Sequence, residues 1–434
     1  MNPGLKIALQ KGPQPSGELQ KQLGVSQPTL SRLLDRDRSG IATLGKGRAT
    51  RYALYRQIRD LAPDLPVHRV SRSGEAHRIG TLLTIVPERY WYEDIEHPKA
   101  SAEHRSIPWF ATDMRPQGYL GRFFPQMHQE LGLPDRVTDW SEDQSLYAIV
   151  RRGEDVVGNL LVGAESLARW LALRSEPAWI ASPDRLNHYR RLANETVAGG
   201  IPGSLAAGEH PKFTALIGTS LPDAHHVLVK FSTSPRWSDL LLAEHLASVT
   251  LRASNHSSAV TEFFQDETRS YLEVVRFDRV GLRGRLGLVS LGAMDDQFVG
   301  DRRGWSESAS ALLRARLIDE PDAREMRFLS AFGLLIANTD MHFGNISFLT
   351  EAYRSFRLAP AYDMLPMLYA PLQDEVPTRE FVPPHPKPGH ADQWLAALPV
   401  AQEFWQKLSR DHRASEDFRA IAGANAERIA RLVG

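Results

Sequence analysis

The sequence predicts an α+β chain built in series: an N-terminal winged helix, a small mostly β subdomain, and a mixed part that ends in a largely helical segment. Three observations carry this. A helical pair and a glycine-tipped hairpin fill residues 1–60, short apolar runs broken by turns fill 76–170, and from 171 onward strands alternate with longer helices. Composition agrees with a globular chain of 434 residues, 42% hydrophobic and 24% charged. No run approaches the roughly 18 apolar residues of a membrane span, and Met1 to Pro13 lacks the apolar core of a signal peptide. The absence of cysteine excludes disulfides, thiolate nucleophiles and cysteine-bound zinc. A cytoplasmic location with no membrane partner is the expectation.

Charge divides the chain in two. The totals balance at 52 basic and 52 acidic residues, yet residues 1–60 hold eleven Lys/Arg against four acids. A basic block of that size favours a polyanionic partner through counterion release. Within it, Ser16 is placed to cap a helix carrying Glu18, Leu19 and Leu23. Gly24-Val25 makes a tight turn, and Ser26 caps a second helix from Gln27 or Pro28 through Leu34. Leu19, Leu23, Val25, Leu30, Leu33 and Leu34 form the inward set. Gln27, Thr29, Ser31 and Arg32 face outward, which is a helix-turn-helix arrangement. Residues Ile41 to Leu54 read as a hairpin whose tip, Gly45-Lys46-Gly47-Arg48, is a basic wing followed by Arg51. DNA binding through Gln27, Thr29, Ser31, Arg32, Lys46, Arg48 and Arg51 is the functional reading; a solvated basic face used for protein contacts is the bland one.

Residues 60–75 read as a linker, from Ala62-Pro63, Leu65-Pro66 and Ser71-Arg72-Ser73-Gly74. Strands are expected at Ile79 to Val86 and at Tyr90-Trp91-Tyr92. A hairpin is expected from Ser145–Val150 and Val156–Val162 around Arg152-Gly153-Glu154-Asp155. The scattered aromatics of 76–170 read as core.

A helix over 186–198 leads to Gly199 through Phe213, where four glycines and two prolines in fifteen residues exclude a regular element. Backbone N–H groups of such a loop can approach phosphates, with Lys212 adding charge. Thr214–Gly218 and Val227–Phe231 read as paired strands, with Lys230 at the end of an apolar run. It either contacts nucleotide phosphates or snorkels to the sheet edge. Trp237 to Thr250 is a helix on which Asp239 or Glu244 could pair with Lys230. Tyr271 to Arg279 is a strand entering a charged turn, Glu325 to Ala337 a long apolar helix, and Phe356 to Tyr362 a strand ending at Asp363. Six prolines make 371–388 irregular, and 401–433 is helical.

The chemistry concentrates in Asn338-Thr339-Asp340-Met341-His342-Phe343-Gly344-Asn345, answered by Ala361-Tyr362-Asp363. A polar octapeptide between two apolar flanks is how rigid elements carry a reactive loop. The spacing D-x-x-x-x-N with a later Asp suits phosphoryl transfer: one Asp for the hydroxyl proton, Asn and a second Asp for magnesium. The bland reading is a loop whose amides and carboxylates cap local backbone.

These residues resemble the catalytic loop and metal motif of HipA-type serine/threonine kinase toxins. Gly208-Glu209-His210-Pro211-Lys212-Phe213 resembles that family's phosphate-binding loop, Val229-Lys230 its nucleotide lysine, and Arg276-Phe277-Asp278-Arg279 its hinge. The fused helix-turn-helix is similar to the YjjJ/HipH-like subgroup. The resemblance implies a bilobal kinase-like fold, with residues 171–280 as N-lobe and 281–434 as helical C-lobe. It implies ATP and Mg²⁺ as cofactors. Asp340 would be the base and His342 would order the loop. Asn345 and Asp363 would hold magnesium. Lys230, Lys212, Ala207 and Gly208 would meet the phosphates, and Val275 and Phe277, with Tyr362 nearby, would meet the nucleotide. A protein substrate follows, with an aminoacyl-tRNA synthetase or another translation factor among those to expect, and a homodimer is allowed. Family members carry an autophosphorylated serine seven residues before the loop lysine, where this chain has Leu205. Ser204 is the substitute candidate, although a one-residue shift in extended chain turns the hydroxyl away. Two other classes remain beside the kinase: a transcriptional regulator that senses nucleotide without transferring phosphate, and a metal-dependent nuclease.

Overall fold

The computed structural model describes residues 1–173, 179–198, 211–372, 375–386 and 391–433. The described residues of 1–71, 75–116 and 125–176 form one compact unit, and those of 72–74, 117–124 and 177–434 another.

In the first unit, α1 (Pro3–Gln10) precedes β1 (Gln14–Pro15), α2 (Ser16–Leu23) and α3 (Gln27–Arg36). Gly24 ends α2 at φ 62°, a left-handed position that suits a residue without Cβ. Ser16 is the first helical residue, not the cap, which falls to Pro15. β2 (Ile41–Leu44) and β3 (Arg51–Leu54) pair in register Ile41↔Leu54, and β1 adds to β3. This completes a winged helix around Leu5, Leu9, Leu19 and Leu30.

Residues 60–75 are not a linker. They contain β4 (Asp64–Val70), which sits between β5 (Ala76–Ile85) and β8 (Leu160–Val162) in a five-stranded sheet completed by β6 (Arg89–Asp94) and β7 (Ala102–His104). The winged helix also does not part from this sheet at residue 60. Ala42, Leu44 and Ala53 share a core with Leu83, Ile85 and Trp91, and the Val86 N–H donates to the Leu54 carbonyl at 3.0 Å.

α4 (Gly118–Met127) follows β7, and the expected hairpin over 145–162 is instead α5 (Glu142–Arg152) leading to β8 and α6 (Ala164–Leu173). Ser141 and Gln144 make a reciprocal capping box at the start of α5, and Arg151 and Arg152 sit in its last turn. The apolar residues Leu146, Ile149 and Val150 recur at helical spacing. The region is therefore α/β and not mostly β.

The second unit opens with β9 (Ile180–Ala181) and α7 (Arg185–Ala198). β10 (Lys212–Gly218), β11 (His225–Phe231), β12 (Thr261–Gln265) and β13 (Ser270–Val275) complete a sheet of order β12-β13-β11-β10-β9, and α8 (Pro235–Ala253) links β11 to β12. Alternation sets the site: Val227, Val229 and Phe231 enter a core with Tyr189 of α7, so Lys230 belongs to the opposite face of the sheet.

β14 (Arg279–Val280) and β15 (Gly284–Arg285) form a ribbon. β16 (Gly287–Ser290) pairs with β17 (Ser347–Thr350), which pairs with β18 (Arg357–Leu358). The α-helices that follow α8 are α9 (Leu291–Phe298), α10 (Trp305–Arg314), α11 (Glu320–Leu335), α12 (Ala391–Arg410) and α13 (Glu416–Val433), and the described residues between β18 and α12 are irregular apart from a short 3-10 turn at Met367–Tyr369. The helical tail thus begins at 391 and is two helices, and the strand expected over 356–362 is paired at Arg357 and Leu358 and by a single parallel bridge from Ala361 to Ser258. The fully buried Trp405 donates from Nε1 to the Leu335 carbonyl at 3.0 Å, which anchors the end of α11 where the polar loop begins.

Candidate active site

Lys230 stands opposite Lys212 on β10 and Leu272 on β13. Its Nζ donates to both oxygens of Glu244, at 2.7 and 2.8 Å, and makes an ion pair with Asp363. Lys230 and Glu244 are each 4% exposed. Burial works against the ammonium, but the Asp363 and Glu244 carboxylates outweigh it and hold Lys230 above the ordinary lysine value. Burial likewise pushes the Glu244 carboxyl up, with Lys230 opposing. These directions pull against each other, and geometry decides for charge: simultaneous hydrogen bonds to two Glu244 oxygens and to Asp363 require all three ammonium protons. Of the two acids on α8, Glu244 is the partner; Asp239 is engaged by Ser415.

The polar octapeptide hangs between α11 and β17 and is stitched to the start of α9. Leu291 N–H donates to the Ile346 carbonyl at 2.9 Å and Gly292 N–H to that of Phe343 at 3.0 Å. Two amides brace Asp340. Asn338 Oδ1 accepts the Asp340 N–H at 3.0 Å, while Asn338 Nδ2 donates to the Asp363 carbonyl at 3.3 Å. Asn345 Nδ2 donates to the Asp340 carbonyl at 2.9 Å, so its Oδ1 is the end turned elsewhere. His342 Nδ1 accepts the Gly344 N–H at 3.0 Å, and its carbonyl accepts Trp305 Nε1 at 3.2 Å. Asp340 is part-exposed and His342 exposed, whereas Asn338 is buried. Ala337 and Asp363, at φ 60° and 55°, flank this arrangement in the left-handed region, where non-glycine residues are uncommon and cluster at functional sites.

Tyr362 ties the two motifs together. Its hydroxyl donates to the Gly344 carbonyl at 2.7 Å, so the 2.7 Å contact with Ser347 Oγ has the serine as donor. The hydroxyl is therefore occupied, and what Tyr362 offers is its ring, 5.6 Å from that of Phe277. The Val275 N–H is committed to the Val260 carbonyl at 2.9 Å. Ala207, Gly208, Ser204 and Leu205 lie outside the described residues, so the structure adds nothing on the phosphate loop beyond Lys212.

In the winged helix, Thr29, Ser31, Arg32, Lys46 and Arg48 are exposed as expected. Gln27 is exposed too, but its Oε1 accepts from Ser16 Oγ at 2.8 Å and Gln20 Nε2 at 2.5 Å, locking α2 to α3. Arg51 departs from expectation: it pairs with Glu103 at 2.9 Å and lies 5.5 Å from the Trp91 ring. Its role is holding β3 within its unit.

Sequence reasoning missed Asn338 as a brace. A buried polar residue immediately after an apolar helix was the available signal, since such a residue must find partners.

With this geometry, comparison with known proteins assigns the family. Residues 61–171 match the model of the YjjJ-like toxin middle domain, and residues 204–431 that of the HipA-like C-terminal domain. Toxin YjjJ of Escherichia coli (strain K12) is 37% identical across 98% of this chain and 96% of its own length. The chain belongs to the YjjJ-like toxin family. Among solved structures, HipA of Shewanella oneidensis MR-1, described in a toxin–antitoxin complex with HipB and operator DNA, aligns with TM-score 0.56 and 15% identity. That alignment covers 85% of this chain and 96% of the other. The YjjJ-like chain therefore shares the HipA fold. Among its described residues, no helix is long and apolar enough to cross a membrane.

Proposed function

We propose that this YjjJ-like toxin is an ATP- and Mg²⁺-dependent serine/threonine protein kinase that phosphorylates a cytoplasmic protein and thereby restrains growth. The observation that carries the reading is the buried Lys230 between Glu244 and Asp363, joined through Asn338 to Asp340. One ammonium between two carboxylates leaves a net negative charge on the cluster, and the Asp363 carboxylate with the Asn345 amide oxygen is an all-oxygen donor pair of the kind that suits magnesium. Asp363 and the Asn345 carbonyl would hold the metal, which with ATP supplies the phosphoryl group and neutralises its oxygens. With Asp363 turned to the metal, Lys230 would have a proton free to orient phosphate oxygens, Phe277 and the Tyr362 ring would line the base, and Asp340 would take the proton of the substrate hydroxyl as it displaces ADP from the γ-phosphorus. Positioning and charge neutralisation dominate such chemistry.

A nucleotide-sensing regulator would need Lys230 but not a braced Asp340, and a nuclease would need neither Lys230 nor Glu244. Ligand binding separates the nuclease from the two nucleotide-binding readings, and loss of phosphoryl transfer in Asp340→Asn separates the kinase from the sensor. Magnesium-ATP at a hundred times its Kd should stabilise the protein by about 2.7 kcal/mol, and chelation of the metal should remove most of that shift. A chain whose melting is indifferent to magnesium-ATP is not a kinase.

The winged helix adds DNA as a second partner, in the manner of an operator-binding module for autoregulation. The protein substrate is an aminoacyl-tRNA synthetase or another translation factor, and a homodimer on a palindromic site fits the module. Each of Arg32→Ala, Lys46→Ala and Arg48→Ala should reduce the slope of log K against log salt by about 0.9. Arg51→Ala should leave that slope in place, because its charge is already paired. A slope unchanged in the triple variant removes the DNA assignment. Point variants are the proper test: deleting residues 1–60 would expose Leu83, Ile85 and Trp91.

A further inference from the structure

Glu244 reaches Lys230 only if α8 is correctly seated, and α8 is gripped at both ends. Near its start Asp239, 3% exposed, accepts two hydrogen bonds from one residue: Ser415 N–H at 2.8 Å and Ser415 Oγ at 2.7 Å. Ser415 immediately precedes α13, and its Oγ accepts the Phe418 N–H at 3.3 Å. Arg236 pairs with Asp417 and lies 4.6 Å from the Phe418 ring. Further along, Lys407 of α12 donates to Thr250 Oγ1 at 3.4 Å. Beyond the end of α8, Ala259 N–H donates to the Ala361 carbonyl and Ala361 N–H to that of Ser257, both at 2.9 Å, two residues before Asp363. His256 Nδ1 meets Glu325 of α11 at 2.9 Å.

We propose that the α12–α13 pair clamps α8 through Asp239 and Ser415, making these two positioning residues that keep Glu244 on Lys230. A carboxylate this buried is costly unless its oxygens are hydrogen-bonded, and here one residue on another element supplies both partners. Glu244 lies five positions after Asp239, about 7.5 Å along the helix, so tilting α8 at Asp239 carries the Glu244 carboxylate away from Nζ. In kinases whose equivalent helix swings, the lysine–glutamate pair is the regulated element. Here the C-terminal helices hold it closed, and the pair is standing rather than switched.

The inference rests on the kinase reading, and its test separates the two. Asp239→Ala and the milder Ser415→Ala, which keeps the backbone hydrogen bond, are made in the wild-type chain and in Glu244→Gln. Amide exchange across residues 239–246 should quicken about tenfold in Asp239→Ala, and phosphoryl transfer should fall about ten- to a hundredfold. Ser415→Ala should move both in the same direction by less. In the Glu244→Gln background the Asp239→Ala loss of transfer should vanish, because the pair being positioned is already gone. Unchanged exchange in α8, or a loss of transfer that multiplies with that of Glu244→Gln, overturns the clamp. A wild-type chain that never transfers phosphate overturns the kinase reading, and exchange alone then judges the clamp.

Discussion

Replacing Asp340 with asparagine is expected to lower phosphoryl transfer by about a hundred- to ten-thousandfold, the range for loss of a positioned general base. Magnesium-ATP affinity should hold nearly constant, because the groups proposed to hold phosphate and metal are Lys230, Asp363 and Asn345. Geometry should also survive. Asp340 is held through its backbone, its N–H to Asn338 Oδ1 and its carbonyl to Asn345 Nδ2, and an asparagine side chain disturbs neither bond. A loss of kcat without a change in KM for ATP is therefore the signature, and growth inhibition on induction should disappear with it. A fall in ATP affinity of the same size would instead place Asp340 among the binding groups.

Lys230→Met should have a large effect of a different kind, on stability as well as activity. The methionine nearly conserves volume but leaves Glu244, 4% exposed, facing Asp363 with no cation between them. Breaking a buried pair on one side costs about 3–5 kcal/mol, and at this size the melting temperature should fall by about 10 °C. The cost has a pH signature. Left alone and buried, Glu244 titrates above the ordinary carboxylate value, so the penalty is full above that folded-state pKa. It shrinks as acid protonates the group. Glu244→Gln in the same chain should recover most of the stability and none of the transfer, a separation that only a pair with both roles gives. Were Lys230→Met as stable as the wild type at neutral pH, the buried ion pair would not be what the geometry describes.

Much of the site was legible because its chemistry is local. Asp340, His342 and Asn345 lie within one octapeptide, and apolar flanks marked it as a loop between rigid elements. Lys230 was legible as an odd charge in an apolar strand, but its partner was not. α8 is buried nearly all round, so helical periodicity could not choose between Asp239 and Glu244. The fold was clearest in the winged helix, where a glycine turn and a proline at the first turn of α3 punctuate the chain. It failed where tertiary context outweighed local signals. Pro63 and Pro66 suggested a linker, yet β4 is internal because its pairing with β8 runs from Val67 to Arg69, just past the proline. The apolar residues of 145–150 suggested a strand, and the capping box at Ser141 decided for a helix. Arg51 looked like a DNA contact on charge alone, and a carboxylate fifty-two positions away, Glu103, claims it.

The kinase reading meets its most direct test when the purified chain, wild type or Asp340→Asn, is mixed with γ-labelled ATP, magnesium and a cell extract. Label should pass to a serine or threonine of an extract protein with the wild type, at least a hundredfold less with Asp340→Asn, and not at all when the metal is chelated. Equal labelling by both chains would remove Asp340 from the chemistry. ATP left intact while DNA in the mixture is cut would replace the kinase with a nuclease.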